Sequence, residues 1–550
     1  MTADDLFLGV DVGTGSARAG LFTGTGQLVA SAAHPIRMWR DGEHVVEQSV
    51  DDIWGAVCRA VAEATAMADA NPSQIKGIGF DATCSLVVVG PQGQPMTASL
   101  TGDPARNVIV WMDHRAEAQA ARINTIGGAP LAYVGNCMSP EMQLPKLLWL
   151  KENLPDSFAR AAAFMDLTDY LTWRATGSLV RSSCTVTCKW TYLALAGGWD
   201  ADFLNGIGLS DLAENDFERI GTSIAAPGTP LGQGLQSAAA QDLGLMPGTP
   251  VGAGLIDAHA GGLGSVPVEN GDLGPQVAYI FGTSACLMAS TSFPVHVPGI
   301  WGPYWSAMVP GTWLLEGGQT AAGAAIDFVL RAHPAWREAR DLAAADGLPL
   351  LPWLEQRVAL RHPTLSSAAL DAARLHFIVD FAGNRAPFAD PSARGILTGQ
   401  SLSNTLFSLE KTYIAALLGV AYGARHMLSE LDAAGVPSAQ IVISGGAAKS
   451  PLVRQLLADA TGLPVAQAAT AEPVLLGAAM LGAVAAGAKP DLTQARKDMV
   501  KIDAVRIPYL QTQQFHRWKY RAYRALQDTE RQLWADRPPI ASYETKDAGT

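Results

Sequence analysis

Residues 6–22 read LFLGVDVGTGSARAGLF, two apolar runs on either side of a glycine turn. Leu6–Val12 and Ala17–Phe22 have the composition of strands, and a short glycine-rich connection between two strands predicts a β-hairpin. A helix is indicated only later, over Val50–Met67, where apolar residues recur at helical spacing, and a buried strand is predicted at Ile75–Phe80. The chain therefore begins as strand, turn, strand rather than strand, turn, helix.

This order argues against the common nucleotide-binding folds. A dinucleotide-binding unit runs strand, glycine turn, helix, with a third Gly or Ala where this chain has Arg18. A pyrophosphate at the turn would also be repelled by Asp11 unless a cation intervened. The best candidate for a phosphate-binding loop of the P-loop type, residues 445–450 (GGAAKS), lacks the glycine that should precede the lysine.

The composition is that of a large globular protein. The chain has 550 residues, of which 48% are hydrophobic and 16% charged, and domains of ~100–200 residues predict two to four domains. Its net charge of −12 argues against a general nucleic-acid binder, because phosphate backbones carry the same sign. The longest uncharged apolar run, Val474–Ala488, is shorter than the ~20 residues that span a membrane and predicts a buried helix. The acidic N-terminus lacks the basic region of a signal peptide, so no membrane partner is expected.

Six cysteines are scattered through the chain and predict no disulfide framework: Cys58, Cys84, Cys137, Cys184, Cys188 and Cys286. Free thiols at this density are typical of a reducing cytoplasm. Cys184 and Cys188 are four residues apart, but no histidine or second cysteine pair lies near them in the sequence, which argues against a zinc site. Apart from Cys84, these cysteines receive no role from the sequence.

A second glycine turn repeats the first about half a chain later. Phe281–Ser284 (FGTS) resembles Val12–Ser16 (VGTGS), and each turn is flanked by apolar, strand-like runs. The repeat predicts two related domains facing each other, with two unrelated hairpins as the alternative. A third turn, Gly445–Ala447, follows a predicted strand over Ile441–Ser444. Such turns offer backbone N–H groups to phosphate oxygens.

Two acids stand where phosphate chemistry needs them. Asp11, near the end of its strand, can hold Mg²⁺ directly or through water, because hard cations prefer oxygen ligands, and Arg18 adds positive charge near the first turn. Asp257 lies in the otherwise apolar stretch 254–259 (GLIDAH). It either caps a helix or acts as a general base that takes a hydroxyl proton. The surrounding glycine-rich segment Gly248–Gly264 is the best candidate for a hinge.

Seven stretches resemble the FGGY carbohydrate kinases and follow the order of that family. They are Asp11–Arg18 (DVGTGSAR), Trp111–Arg115 (WMDHR), Lys146–Asn153 (KLLWLKEN), the segment at Asp257, Phe281–Ser284 (FGTS), Glu316–Asp327 (EGGQTAAGAAID) and Ser444–Ala447 (SGGA). The resemblance spans about residues 6–490. It implies an α/β protein with two RNase H-like domains of the actin/hexokinase ATPase fold and a cleft between them. Residues 1–264 would hold the sugar and the first phosphate loop, and residues 265–550 the nucleotide.

The resemblance also implies roles for individual residues. Asp257 falls at the catalytic base, and Asp11 at the magnesium site, of a family that uses ATP and Mg²⁺. The residues that it places at the nucleotide are Gly13, Thr14, Gly15, Ser16, Arg18, Gly282, Thr283, Gly323, Asp327, Gly445, Gly446, Ala447 and Ser450. Those that it places at the sugar are Thr83, Cys84, Asp113, Lys189, Asp257 and Glu316.

The sugar residues indicate one branch of the family. Glycerol kinases carry an Arg-Glu pair where this chain has Cys84 and Ser85, and the Gly-Gln-Met-His-like stretch of xylulokinases is missing. The run TCSLV at residues 83–87 is instead similar to the D-ribulokinases. Cys84 is expected to shape the pocket without reacting. A lysine, carboxylates and a hydroxyl together can donate to and accept from a small polyol.

Plainer roles remain open for several of these side chains. Lys189 is also consistent with a surface salt bridge and Glu316 with a turn acid. Asp113 either contacts the sugar or only orients Arg115. Phosphoryl transfer commonly uses Asp as its base, but two histidines remain rival candidates: His114 and His259.

These features predict ATP-dependent phosphorylation of a terminal hydroxyl of a pentulose, with D-ribulose to D-ribulose 5-phosphate as the first candidate. L-ribulose, ribitol or another pentitol remains open, because stereochemistry is read by angstrom-scale placement. Two other classes are a non-catalytic sugar sensor on the same fold and an actin- or chaperone-like ATPase. The expected partners are a small sugar and ATP, with no nucleic acid or membrane, and a homodimer is the default assembly.

Overall fold

Two mixed β-sheets frame the molecule. The computed structural model describes residues 5–42, 44–268 and 274–536. The first sheet consists of strands β1 to β5, in chain order Leu6–Val12, Ser16–Thr23, Leu28–Pro35, Ile75–Ala82 and Val251–Ile256. Their order across the sheet is β3-β2-β1-β4-β5, in which β1 to β3 form an antiparallel meander and β4 and β5 run parallel to β1. The hairpin predicted from residues 6–22 is confirmed.

The second sheet repeats this plan. Its strands are β6 to β12, in chain order Gln276–Phe281, Ala285–Thr291, Trp301–Trp305, Trp313–Gln319, Gln440–Ser444, Val465–Ala468 and Ile502–Arg506. Their order is β8-β9-β7-β6-β10-β11-β12, and the inner run β9-β7-β6-β10-β11 matches the first sheet in order and in strand direction. The predicted fold class, an α/β protein with two RNase H-like units, is thereby confirmed. A division at residue 264 stays a prediction.

Helices cover both sheets. We label eleven of them α1 to α11, in chain order Val50–Met67, Gln143–Asn153, Leu167–Thr176, Ser183–Trp190, Asp257–Leu263, Gly323–Ala332, Leu350–Arg361, Leu406–Ala433, Pro451–Thr461, Pro473–Ala485 and Gln513–Ala535. Shorter or peripheral helices are Glu117–Ile126, Pro155–Arg160, Ala201–Gly206, Ser237–Leu243, Trp336–Ala345 and Leu492–Met499. The prediction of a helix over Val50–Met67 is confirmed, and Ser49 caps it by accepting from the N–H of Asp52. Nowhere in the described ranges is a helix both long and apolar enough to cross a membrane.

The first sheet is covered on both faces, and one cover comes from the far end of the chain. Side chains of β1 alternate, so that Leu8 packs in a cluster with α1 and Phe7 packs in a cluster with α10. The buried helix predicted from the apolar run near residue 474 is this α10. Glycine sets how closely it approaches, because a Cβ on Gly79 would lie 1.9 Å from the carbonyl oxygen of Ala478.

The segment Gly248–Gly264 does not form the open loop expected of a hinge. It contains the buried strand β5 and the short helix α5, which contacts α10 and the second sheet. Its glycines allow close packing: a Cβ on Gly264 would lie 1.9 Å from the carbonyl oxygen of Pro473. The segment therefore supplies a packed strand and helix between the two sheets.

A third, smaller sheet brings together two segments that contain residues predicted to contact the sugar. Its strands lie in the order Trp39–Asp41, Val45–Gln48, Val108–Ile109, Leu86–Val89 and Ala163–Asp166. Leu86 pairs with Ile109 in antiparallel register. The residues just before Leu86 and just after Ile109 therefore lie next to each other at one end of these strands. The N–H of Trp111 accordingly donates to the hydroxyl of Ser85 at 3.2 Å.

Candidate active site

Three carboxylates gather at one end of the first sheet. Asp11 lies near the end of β1, Asp81 is its register partner on β4, and Asp257 follows β5 as the first residue of α5. Asp11 and Asp81 are buried, whereas Asp257 is partly open to solvent. Sequence reasoning missed Asp81, although it carries the same signal as Asp11: an acid near the end of a buried strand.

Asp81 is placed to share a proton or a cation with Asp11. No donor group among the described residues reaches either of its buried carboxylate oxygens. Burial and the neighbouring charges of Asp11 and Asp257 raise the pKa of Asp81 well above its ordinary value. Because two facing carboxylates repel each other, the pair is stabilised by a bound proton or by a hard cation with oxygen ligands.

Arg18 is held at this acid cluster rather than left free at the turn. Its Nε donates to Oδ2 of Asp11 at 2.6 Å, and its Nη1 donates to Oε2 of Glu472 at 2.8 Å. Glu472 directly precedes α10, so these contacts link the first hairpin to the helix that crosses from the second half of the chain. A contact between Arg18 and a phosphate stays a prediction.

Asp257 has the environment of a general base. Burial and the charge of Asp11 raise the pKa of Asp257 to about 6. The carboxylate is therefore more basic than an ordinary aspartate and still ionised at neutral pH. Its Oδ1 accepts from the N–H of Ala258 at 2.7 Å. The helix-cap role considered from the sequence is not observed, because Ile256 occupies the cap position of α5.

The first glycine turn is fixed by side chains from two other segments. The N–H of Gly13 donates to the carbonyl of Ser16 at 3.0 Å. Trp111 donates from Nε1 to the hydroxyl of Thr14 at 3.0 Å, and the Gln48 amide donates to the Thr14 carbonyl at 2.7 Å. Gly15 stays exposed at the tip. The tryptophan of the WMDHR stretch therefore positions the predicted phosphate loop.

Most residues predicted to contact the nucleotide in the second half line one cavity of about 930 Å³. They are Gly282, Thr283, Gly323, Asp327, Gly446, Ala447 and Ser450. Gly445 adjoins the cavity with φ of +87°, and a Cβ there would lie 2.6 Å from the carbonyl oxygen of Phe281, so only glycine fits. A cavity of this size can accommodate a nucleotide.

Part of this cavity wall was not anticipated. Glu355, on α7, accepts from the hydroxyls of Ser450 and Tyr413, both at 2.7 Å. Ser450 also accepts from the N–H of Val453 and thereby caps α9, so its hydroxyl is committed to protein partners. Asp327 is exposed and pairs with the arginine one turn later. Glu355 gives no sequence signal, since 95 positions separate it from Ser450.

Two residues predicted to contact the sugar meet across the halves of the chain. Nζ of Lys189, on α4, lies 3.9 Å from Oε1 of Glu316, on β9, and 4.3 Å from the centre of the Trp301 ring. Both charged side chains are buried. Burial opposes both charges, but the neighbouring groups together outweigh it, so that Glu316 and Cys84 raise the pKa of Lys189, and Lys189 and His259 lower that of Glu316. The surface-bridge role for Lys189 and the turn role for Glu316 are therefore wrong.

Thr83 and Cys84 lie at the edge of the third sheet. The hydroxyl of Thr83 is 3.1 Å from that of Ser85, and the carbonyl of Cys84 accepts from Gln143 at 3.0 Å. Burial raises the pKa of Cys84 to about 12, so the thiol is neutral and unreactive. This agrees with a role in shape; contacts of either residue with a sugar stay predictions.

Asp113 is committed to protein groups. Both of its oxygens accept from Nε of Arg115, and Oδ2 also accepts from the N–H of Val46. Its side chain is completely buried. The observed role is thus the second of the two considered from the sequence, orientation of Arg115. His114, one of the rival bases, lies 3.7 Å from Glu141 and pairs with it.

The histidine missing near Cys184 and Cys188 in the sequence is present in space. His259, 75 positions after Cys184, has Nδ1 3.0 Å from its Sγ, and the three side chains form one buried group. Nε2 of His259 lies 3.2 Å from Glu316. Because both ring nitrogens have partners, His259 has no free nitrogen to take a substrate proton, and the rival-base role is not supported.

Carboxylates at the strand ends of the first sheet and a nucleotide-sized cavity in the second half of the chain suit phosphoryl transfer to a small hydroxylated ligand. The molecule is a kinase on the two-domain actin/hexokinase plan. Residues 6–264 match the N-terminal domain, and residues 277–486 the C-terminal domain, of the FGGY family of carbohydrate kinases. The chain belongs to this family.

Named relatives cover nearly the whole chain. An FGGY carbohydrate kinase domain-containing protein of Danio rerio is 45% identical over 94% of this chain and 96% of its own length. A D-ribulokinase of Saccharomyces cerevisiae is 36% identical over 87% of this chain and 72% of its own. The solved xylulose kinase of Rhodospirillum rubrum shares the fold, with a TM-score of 0.77 and 23% identity, over 96% of this chain and all of its own.

Proposed function

We propose that the protein is an ATP-dependent pentulose kinase whose substrate is D-ribulose and whose product is D-ribulose 5-phosphate. The observation that carries this proposal is the buried Lys189–Glu316 pair, which joins the two halves of the chain and whose lysine charge acts on the pKa of Asp257. A buried cation and carboxylate suit the hydroxyl and carbonyl groups of a ketose. The similarity to a D-ribulokinase of S. cerevisiae supports this choice of sugar.

The proposed chemistry needs one proton transfer. The ionised carboxylate of Asp257 accepts the proton of the terminal hydroxyl, the freed oxygen attacks the γ-phosphorus of ATP, and ADP leaves with the bridging oxygen. We assign to backbone N–H groups of the two glycine hairpins the role of stabilising charge on the phosphate oxygens. Arg18 and Lys189, which are paired with carboxylates in the structure, are the cations that we assign to this region of a chain with net charge −12.

Asp11 and Asp81 suit a magnesium ion. Carboxylate oxygens are the ligands that this cation prefers, and the buried oxygens of Asp81 have no protein donor in the described part of the chain. Bound there, Mg²⁺ would neutralise charge on the phosphates of ATP.

We also place the enzyme in the cytoplasm, because all six cysteines are unpaired.

A substrate screen tests the proposal. ADP release is measured with D-ribulose, L-ribulose, ribitol, D-xylulose and glycerol, and the sugars are ranked by kcat/KM. We expect D-ribulose to rank first. A higher rank for L-ribulose or ribitol would change the substrate but keep the chemistry. ADP release without any sugar would favour an ATPase, and sugar binding without ADP release would favour a sensor.

A further inference from the structure

A chain of polar contacts runs behind the proposed sugar site, from a cysteine to a glutamate. Sγ of Cys184 lies 3.0 Å from Nδ1 of His259, and Nε2 of His259 lies 3.2 Å from Oε2 of Glu316. All three side chains are buried, and those of Cys184 and His259 completely. They come from α4, α5 and β9, so the contacts connect three elements drawn from both halves of the chain.

These contacts decide where the ring protons of His259 lie. If Cys184 is a neutral thiol, its S–H donates to Nδ1, and the single ring proton must sit on Nε2. If Cys184 is a thiolate, the ring is an imidazolium with protons on both nitrogens. In both states Nε2–H donates to Glu316. The N–H of Ile256, 3.4 Å from Sγ, holds the sulfur in place.

The surrounding charges favour the ionised form. Burial alone would raise the pKa of Cys184, but a hydrogen bond from Cys188 and the charge of His259 lower it to about 5. Burial alone would lower the pKa of His259, but Cys184 and Glu316 raise it to about 10. Buried charges persist when they are paired, and signs alternate here from Cys184 through His259 and Glu316 to Lys189.

A metal ion is the competing interpretation of Cys184, Cys188 and His259. Zinc between a thiolate at ~2.3 Å and an imidazole at ~2.1 Å would hold Sγ and Nδ1 about 3.6 Å apart in tetrahedral geometry. The observed 3.0 Å is instead a direct hydrogen bond. The group also contains three ligands in the described ranges, one fewer than a closed zinc site. The geometry therefore favours a hydrogen-bonded relay, by which we mean the contacts from Cys184 through His259 to Glu316.

We propose that Cys184 and His259 are positioning residues that orient Glu316 toward the sugar hydroxyls. His259 engages Oε2 of Glu316, while Lys189 and Cys286 lie 3.9 Å and 3.3 Å from Oε1. Without His259 the carboxylate is free to turn onto Lys189, and the two charges then satisfy each other instead of the substrate. This inference rests on the proposed function, because Glu316 acts here through the sugar.

The relay has a second consequence, which is to set the sugar relative to the base. Asp257 is the first residue of α5 and His259 the third, so one short helix carries both. A hydrogen bond from His259 to Glu316 fixes that helix against β9. The same helix, α5, thereby positions both the carboxylate of Asp257 and, through His259 and Glu316, the hydroxyl to be phosphorylated.

Two substitutions of His259 test the role. His259→Gln keeps an amide N–H close to the position of Nε2, whereas His259→Leu has similar bulk and donates nothing. We expect the leucine variant to raise KM for D-ribulose about 10- to 100-fold, with a smaller fall in kcat and an unchanged Kd for ATP. The glutamine variant should recover most of that loss. Equal KM values for both variants and the wild type would overturn the relay.

The two cysteines of α4 supply a matched pair, since both are completely buried and lie one helical turn apart. We expect Cys184→Ala to raise KM severalfold and Cys184→Ser to restore it through O–H. Cys188→Ala removes a donor to Cys184 but keeps the contact between Cys184 and His259, so it should raise KM less than Cys184→Ala does. Zinc content of the purified protein is measured in parallel. One equivalent of zinc, lost equally in both alanine variants together with activity, would replace the relay by a metal site.

Binding of D-ribulose, followed by calorimetry, separates failure of the relay from failure of the proposed function. A wild-type chain that neither binds nor phosphorylates any pentulose would refute both. A wild-type chain that does so, with a leucine variant of equal KM and equal melting temperature, would refute the relay alone. An unchanged melting temperature with a raised KM in His259→Leu supports positioning rather than a general structural role.

Discussion

The two sheets share one plan and differ at the ends of their central strands. In the first sheet Asp11 on β1 pairs in register with Asp81 on β4. At the corresponding places of the second sheet, two residues before the glycine turn, Ile280 on β6 pairs with Ser444 on β10. The backbone repeats, but the charges do not.

This difference places the acidic residues on the first sheet and keeps the corresponding positions of the second sheet, which adjoins the nucleotide-sized cavity, uncharged. The first sheet has carboxylates at its strand ends, which attract a cation or a proton, while the residues at the matching strand ends of the second sheet, Ile280 and Ser444, are uncharged. In a chain of net charge −12 such a division matters, since acids at both places would repel the phosphates of ATP from either side. The two sheets thus share strand order and direction but differ in the charge of the residues at these strand ends.

The largest expected effect of breaking this division is at Asp257. Asp257→Asn removes the base while keeping shape, so kcat should fall about 10³-fold, within the ~10²–10⁴ that general base catalysis contributes. Kd for ATP should stay within about twofold, because the cavity of the second half is untouched. Steady-state ADP release and nucleotide titration measure the two quantities. Near wild-type turnover would remove Asp257 from the mechanism.

Substitution of Asp81 should separate activity from stability. Asp81→Asn removes one of two facing acids, so the Mg²⁺ concentration for half-maximal rate should rise roughly 10-fold. At neutral pH the same change should raise the melting temperature by roughly a few degrees. The sign follows because an acid whose folded pKa is raised loses stabilising free energy as pH rises above its unfolded value.

Unchanged Mg²⁺ dependence in Asp81→Asn would exclude Asp81 from the cation site. A lowered melting temperature would show instead that its carboxyl stabilises the fold.

The pH profile provides a milder perturbation of the same carboxylates. Asp257 must be ionised to accept a proton, and its pKa is raised to about 6 by burial and by Asp11. We therefore expect kcat/KM for the sugar to be level above about pH 7, half-maximal near pH 6 and about tenfold lower near pH 5. A profile that stays level down to pH 5, with the protein still folded by circular dichroism, would contradict this assignment.

The smallest effect is expected at the matching position of the second sheet. The buried hydroxyl of Ser444 has no hydrogen-bond partner among the described residues, so Ser444→Ala removes an unsatisfied group. Turnover should change less than twofold and the melting temperature should hold or rise slightly. A large loss of activity would show that the neutral sheet takes part in the chemistry and would weaken the contrast with Asp81.

Local patterns predicted much of the fold and part of the site. The two hairpins were found because glycine turns between apolar runs carry their structure in a few adjacent residues. Asp81 directly follows the predicted strand Ile75–Phe80 and was missed because its register partner, Asp11, lies 70 positions earlier in the chain. Cys184, His259 and Glu316 could not be joined from the sequence, since 75 and 57 positions separate the contacting residues.

The prediction of a hinge was wrong because a glycine-rich segment can indicate either a flexible backbone or close backbone packing. Glycines between residues 248 and 264 were interpreted as flexibility, but in the structure they permit backbone contact, as at Gly264 against Pro473. The two uses differ only in what lies opposite the missing side chain. That neighbour comes from α10, more than two hundred residues later, and is not visible in any local pattern.

The crossing of α10 onto the first sheet bears on whether the molecule can be cut. A fragment ending at residue 264 lacks the helix that covers Phe7 and its neighbours, and leaves an apolar face of the sheet in water. A fragment starting at residue 265 contains α10 but lacks the first sheet, on which α10 packs. The two pieces, expressed apart, should aggregate or stay unfolded, and when expressed together they should co-purify as a complementing pair.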